Sequence, residues 1–123
     1  MGDCIDFGIV SNIEYDKDYS KIGSPDAYKA LYAQYHCVSV PDEIVSDWIP
    51  LANNIPTYLC SLGRKNMGID HYGVTIIPPK SVKMLFDIVH SYMDTTKNES
   101  VEKLVKLLNI ALEKRQYVIC YGI

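Results

Sequence analysis

The spacing of apolar residues predicts two amphipathic helices in the second half of the chain. The first, over about 79–93, has an apolar face made of Val82, Leu85, Phe86, Val89 and Met93. The second, over about 97–114, follows Thr96-Lys-Asn-Glu99, which matches a capping box. Its apolar face consists of Val101, Leu104, Val105, Leu108, Ala111 and Leu112. Phe86 and Leu108 are therefore expected in the core.

Three stretches with a β-branched bias predict strands. Ile69–Ile77 ends in a continuous apolar run that stops at two prolines, which is typical of an interior strand covered on both faces. Gln116–Tyr121 predicts a closing strand, and Ile5–Ile13 predicts an opening one. These strands would form a small sheet for the helices to cover.

Two shorter helices are predicted in the first half of the chain. Ser24-Pro25-Asp26 has the chemistry of a helix start, and Ser39-Val-Pro-Asp42 begins a second helix that Pro50 ends. Residues 51–67 show no regular period. This order of elements predicts an α+β, or small α/β, fold in which helices pack on one small sheet. We expect residues 1–123 to form a single domain.

Composition and charge narrow the class of protein. The chain is 48% hydrophobic with a net charge of −3, which suits a globular domain and gives no reason to expect direct contact with nucleic acid. No apolar run approaches the ~20 residues that span a bilayer, and the first residues do not resemble a secretion signal. We therefore expect a cytoplasmic protein without membrane contact.

The charge is unevenly distributed along the chain. Residues 1–61 contain nine acids and three lysines, whereas residues 62–123 contain six acids and nine lysines and arginines. An acidic surface attracts a basic partner and accelerates their encounter. Chance scatter of solvated charges in a short chain is the competing interpretation.

Residues with catalytic or metal-binding chemistry are sparse. The cysteines at positions 4, 37, 60 and 120 have no close spacing, so we expect free thiols and neither a disulfide framework nor a zinc site. There is no phosphate-binding loop and no nucleophile elbow, and we expect no cofactor, no metal ion and no catalytic residue. His71 with Tyr72 and Asp70 is the one cluster suited to acid–base chemistry. The simpler interpretation is a polar strand opening at the rim of the sheet.

Tyrosines point to a binding surface. The chain has ten tyrosines and two phenylalanines, and tyrosine suits interfaces because an apolar ring carries a polar tip. Acids and tyrosines alternate most densely in the polar segment 14–20. We predict that this segment contacts a basic partner through Glu14, Tyr15, Asp16, Asp18 and Tyr19. The alternative is a solvated loop whose two tyrosines lie on the core.

Two segments resemble immunity proteins of bacterial contact-dependent growth inhibition systems. They are Ile69-Asp-His-Tyr-Gly-Val-Thr-Ile-Ile-Pro-Pro-Lys-Ser with the apolar helix behind it, and the closing Tyr-Val-Ile-Cys-Tyr-Gly-Ile. The resemblance implies a protein, not an enzyme, that binds the C-terminal domain of a cognate toxin acting in the cytoplasm and neutralises it. Many such toxins are basic nucleases. Contact residues differ from pair to pair, so the resemblance assigns none here.

Two other classes share this composition. A phage-encoded inhibitor or an antitoxin would also be a small, acidic, tyrosine-rich binder. A small hydrolase that uses His71 is the enzymatic alternative.

Overall fold

The computed structural model describes residues 3–122, which form six strands and four α-helices. The strands are β1 (Cys4–Val10), β2 (Val38–Pro41), β3 (Pro56–Leu59), β4 (Lys65–Met67), β5 (Val74–Ile77) and β6 (Tyr117–Tyr121). The helices are α1 (Pro25–Gln34), α2 (Asp42–Trp48), α3 (Pro79–Thr95) and α4 (Glu99–Lys114), and a short 3₁₀ helix, Ile49–Ala52, follows α2. The predicted α+β class is confirmed.

All six strands belong to one antiparallel sheet in the order β2-β1-β6-β5-β3-β4. The first and last strands along the chain, β1 and β6, are neighbours, with Phe7 opposite Cys120. Strand β5 lies between β6 and β3 and is buried along its whole length, which confirms the expectation of an interior strand. The free edges of the sheet are β2 and β4.

Helices α2, α3 and α4 cover one face of the sheet and enclose the larger core. Leu85 from α3 and Leu104 and Leu108 from α4 are completely buried there. Phe7 of β1 lies against Trp48 of α2, with ring centroids 6.0 Å apart. This face contributes most of the apolar burial because two long amphipathic helices align their stripes on it.

Helix α1 and the segment before it cover the other face. Ser24 caps α1 by accepting a hydrogen bond from the Ala27 amide at 3.1 Å, as predicted from the sequence. No residue within α1 is fully buried, and the helix rests on the sheet through its tyrosines. Tyr28 meets Tyr121 edge to face, with ring centroids 5.2 Å apart. A smaller core of Tyr19, Tyr35, Ile76, Ile119 and Tyr121 lies beneath.

Several predicted boundaries are wrong. The opening strand is Cys4–Val10, and the strand predicted over Ile69–Ile77 covers only Val74–Ile77, because residues 70–73 turn instead. Asn98, not Thr96, caps α4, since its side chain accepts a hydrogen bond from the Ser100 amide at 2.9 Å. Helix α2 begins at Asp42 with no side-chain cap, and Pro50 lies inside the 3₁₀ helix.

Two further expectations need correction. Residues 51–67 contain β3 and β4, two strands with no clear signal in the sequence. Phe86 is only partly buried, because its ring lies at the margin of the core and stacks on the exposed His90, with centroids 5.4 Å apart.

Candidate functional site

The predicted contact segment emerges from the end of β1 and exposes three of its five proposed residues. Glu14 and Asp16 are exposed, and Tyr15 between them is 66% exposed. Lys17 forms an ion pair with Glu14 at 3.8 Å. We call Glu14, Tyr15 and Asp16 the loop tip.

Tyr19 does not belong to the exposed surface. Only 4% of the residue is accessible, and its ring packs in the smaller core. Its backbone amide donates to the Cys60 carbonyl at 2.7 Å, and its hydroxyl accepts a hydrogen bond from the Glu14 amide at 2.8 Å. The prediction that Tyr19 contacts a partner is therefore corrected: this residue fastens the segment to the sheet.

Asp18 also has a structural use that the sequence did not reveal. Its carboxylate accepts hydrogen bonds from the Ser20 hydroxyl and amide, and these bonds lower the pKa of the Asp18 carboxyl. Lys21 and Arg64 lower the pKa of this group further by their positive charge. Nearby cations thus offset part of the acidity that the sequence suggested for this segment.

His71 and Asp42 come together although 29 residues separate them. The imidazole Nε2 contacts Asp42 Oδ1, and both side chains are partly accessible. The Asp70 carboxylate accepts a hydrogen bond from the Tyr72 amide at 2.9 Å, which forms the turn that carries His71. The contact ties this turn to the first residue of α2.

The fold assembles an acidic surface around α2. The Asp42 amide donates to the Asp3 carbonyl at 2.9 Å, and the Asp47 carboxylate accepts a hydrogen bond from the Tyr92 hydroxyl at the same distance. We call the acids gathered here the α2 acidic surface: Asp3, Asp42, Glu43, Asp47 and Asp70. Within the described residues, none of them forms an ion pair with Lys or Arg.

Tyr72 lies beside this surface and is 75% exposed, and its ring contacts that of His71 at a centroid distance of 5.0 Å. The sequence shows Asp42, Glu43 and Asp47 within one short predicted helix, but it does not show the surface they share with Asp3 and Asp70. Their meeting with Asp70 depends on contacts between distant segments, which no local pattern reveals.

Most of the remaining tyrosines serve the interior. Tyr28 donates its hydroxyl proton to the Asp6 carboxylate, which also accepts from the Ser39 hydroxyl at 2.6 Å. The Tyr32 hydroxyl completes the chain with Ser39 at 2.8 Å. Burial and the bond to Asp6 raise the pKa of Tyr28. This network fastens α1 to β1 and β2, so the tyrosine count does not translate directly into an interface.

The described residues offer little for redox or metal chemistry. All four cysteines are free, and no three His, Cys, Asp or Glu side chains within residues 3–122 are grouped as a metal ion would require. Burial raises the pKa of Cys37 to about 12, and that of Cys120 is raised as well. In the same part of the chain no helix is long and apolar enough to cross a bilayer.

Comparison of the chain with protein-family models, with characterised proteins and with solved structures finds no match. The resemblance to immunity proteins therefore stays a prediction.

Proposed function

We propose that the chain is an immunity-type protein that binds a basic toxin domain acting in the cytoplasm and neutralises it. One observation carries the proposal: the two tyrosines with strongly exposed rings, Tyr15 and Tyr72, both stand among carboxylates. Exposed aromatic rings anchor protein interfaces, and acids around them attract a basic partner. This chemistry suits capture of a cationic protein domain.

The two tyrosines define two candidate contact surfaces. At the loop tip, Glu14 already has a cationic neighbour in Lys17, so the local field is weakened. At the α2 acidic surface, five acids come from α2 and from the two segments that contact its first residue, and among the described residues the partly exposed His71 is their one ion-pair partner. Because the stronger field gives faster association, the α2 acidic surface is the stronger candidate. The loop tip is the exposed part of the interface predicted from the sequence, which also included Asp18 and Tyr19.

Charge reversal separates the two surfaces. The tagged protein is incubated with lysate of its native host, and captured proteins are identified by mass spectrometry. Three double variants with the same change in net charge are compared: Glu14→Lys/Asp16→Lys, Asp3→Lys/Glu43→Lys, and the control Glu102→Lys/Glu113→Lys on exposed positions of α4. We expect a basic protein to be captured by the wild type and the control, and to be lost with the Asp3/Glu43 variant.

Other outcomes would change the assignment of the interface. Loss of capture with only the Glu14→Lys/Asp16→Lys variant would place the interface at the loop tip. Equal capture by all four proteins contradicts an electrostatic interface at either surface, and the captured protein must be basic for the proposal to hold.

A second candidate function rests on the pair formed by His71 and Asp42. A carboxylate that orients an imidazole is half of the arrangement used by hydrolases, whose other half is a nucleophile within reach of that base. The aliphatic hydroxyl nearest to His71 in sequence, that of Thr75, is completely buried and accepts the Asp70 amide proton at 2.9 Å. The Ser46 hydroxyl lies beside Asp42 but donates its proton to the Asp42 backbone carbonyl at 2.9 Å, and no hydrogen bond joins it to the imidazole of His71. Hydrolysis of RNA, nucleotide or ester that disappears in a His71→Ala variant would establish the enzymatic function and contradict the binding proposal.

A further inference from the structure

Strand β2 is an edge of the sheet with unused hydrogen-bonding capacity. Within residues 3–122 it pairs only with β1, and the Asp42 amide continues that ladder by donating to the Asp3 carbonyl. Because adjacent residues of a strand point their backbone groups in opposite directions, Val38 and Val40 face β1, and Ser39 turns its amide and carbonyl outward. Pro41 has no amide to offer, so an added strand would pair around Ser39.

A groove follows this edge on its outer side. Its first part has a volume of about 460 Å³ and lies between Tyr32 of α1 and the first turn of α4. Its second part, about 380 Å³, runs along the C-terminal half of α4 to His36. Both parts are lined by Val38 and Lys103, so the two form one elongated channel, which we call the β2 groove.

The second part of the β2 groove combines an apolar floor with a cationic rim. Ile9, Val38, Leu107 and Ile110 supply the apolar surface. The rim consists of Lys103, Lys106 and Lys114, and among the described residues only Lys103 of these three has an ion-pair partner, Glu99 at 3.3 Å. None of the described residues that line this part is acidic. This second part is therefore cationic, opposite in charge to the α2 acidic surface, whereas Glu99 and Lys103 both line the first part.

We propose that the β2 groove binds an extended acidic segment of a partner protein, which adds to the sheet as a strand beside β2. The outward amide and carbonyl of Ser39 pair with the backbone of the segment. Apolar side chains of the segment, spaced two residues apart, lie on Leu107 and Ile110, and its carboxylates meet Lys106 and Lys114. The elongated shape favours an extended chain over a compact small molecule, and this inference goes beyond the toxin-binding function.

The test uses a short peptide with this chemistry, Ac-Asp-Glu-Val-Thr-Val-Glu-Asp-NH2, and a control in which every acid is replaced by lysine. Binding to the ¹⁵N-labelled protein is followed by amide chemical shifts and by hydrogen exchange at the Ser39 amide. We expect the acidic peptide to shift amides along β2 and residues 103–114 and to slow exchange of the Ser39 amide at least tenfold. The lysine peptide should do neither.

Matched variants assign the effect to the groove. Ile110 and Met84 are both 44% exposed on helices, so lysine at either position leaves the fold intact. Ile110→Lys should weaken the acidic peptide at least tenfold, whereas Met84→Lys should leave its affinity unchanged. The Lys106→Glu/Lys114→Glu variant should bind the acidic peptide at least tenfold more weakly as well. Added salt should lower the affinity of the wild-type protein for this peptide.

Three results would overturn the proposal. The first is no protection of Ser39 by the acidic peptide, or equal affinity for both peptides. The second is dodecanoate shifting the same amides when the acidic peptide does not, which would assign the groove to an anionic acyl chain. The third is a shift of these amides with protein concentration alone, which would assign the groove to a second copy of the chain.

Discussion

Tyr15 and Tyr19 are four residues apart in the same polar segment, and the fold uses them in opposite ways. Tyr19 lies in the smaller core and hydrogen-bonds the backbone of Glu14 and Cys60, whereas Tyr15 projects from the loop tip. Sequence alone treats them alike, because both alternate with acids in a segment without a period. Tyr19 is held against the sheet because its backbone amide donates to the carbonyl of Cys60, a residue 41 positions away.

The two tyrosines should therefore differ in their effect on stability. Tyr19→Ala removes a buried ring and leaves the Glu14 amide without its acceptor, so we expect the free energy of unfolding to fall by about 3–5 kcal/mol. Tyr15→Ala should change it by less than about 0.5 kcal/mol. Urea denaturation followed by circular dichroism measures both. Similar values for the two variants would show that Tyr19 is not a core residue.

The cysteines should also separate by environment. Cys4 is exposed, Cys120 is completely buried, and burial raises the pKa of Cys37 to about 12. Because the thiolate is the reactive form, Cys37 stays protonated and inert at neutral pH, and Cys120 is shielded as well. Iodoacetamide at pH 7.5, with adducts located by mass spectrometry, should label Cys4 at least tenfold faster than either. Urea should abolish the difference, and equal native rates would contradict the burial.

At the scale of elements, helices and strands with a strong apolar pattern in the sequence were predicted correctly, and those with a weak pattern were not. Helices α3 and α4 and strand β6 lie within two residues of their predicted bounds, since each buries a continuous stripe or run. Strands β3 and β4 have four and three residues, and Thr57 is their one fully buried side chain. These short, half-exposed strands form because β3 pairs with the edge of β5 and β4 in turn pairs with β3. Neither strand has an apolar pattern in the sequence that would predict it.

Phe86 and Leu108 show that, even in a correctly predicted helix, the apolar pattern does not give the depth of burial of each residue. Both fall on apolar stripes, yet Leu108 is completely buried and Phe86 is only partly so, at the margin of the larger core. We expect Leu108→Ala to lower the free energy of unfolding by about 2–5 kcal/mol. Phe86→Ala should cost less than Leu108→Ala, because its ring already faces solvent on one side. A larger loss for Phe86→Ala in chemical denaturation would contradict this placement.

At the scale of the whole molecule, the fold brings together charged residues that are far apart in the sequence. Asp3 and the turn that carries Asp70 and His71 both contact the first residue of α2, so three segments contribute acids to the α2 acidic surface. Three lysines of α4 line the β2 groove. The sequence indicated an acidic first half, which agrees with this surface, but it placed the contact in the segment 14–19. The contact of His71 with Asp42 joins residues far apart in the chain, so local patterns could not predict the candidate site.

The most direct measurement of the proposed function is growth of bacteria that express the captured partner. Its C-terminal domain is induced alone, with the wild-type chain, and with the Asp3→Lys/Glu43→Lys and Glu102→Lys/Glu113→Lys variants, and colony-forming units are counted. We expect the domain alone to stop growth, and the wild type and the Glu102/Glu113 control to restore it. The Asp3/Glu43 variant, though folded, should restore growth at least tenfold less. A domain that leaves growth unchanged, or that still kills beside the wild-type chain, would contradict neutralisation.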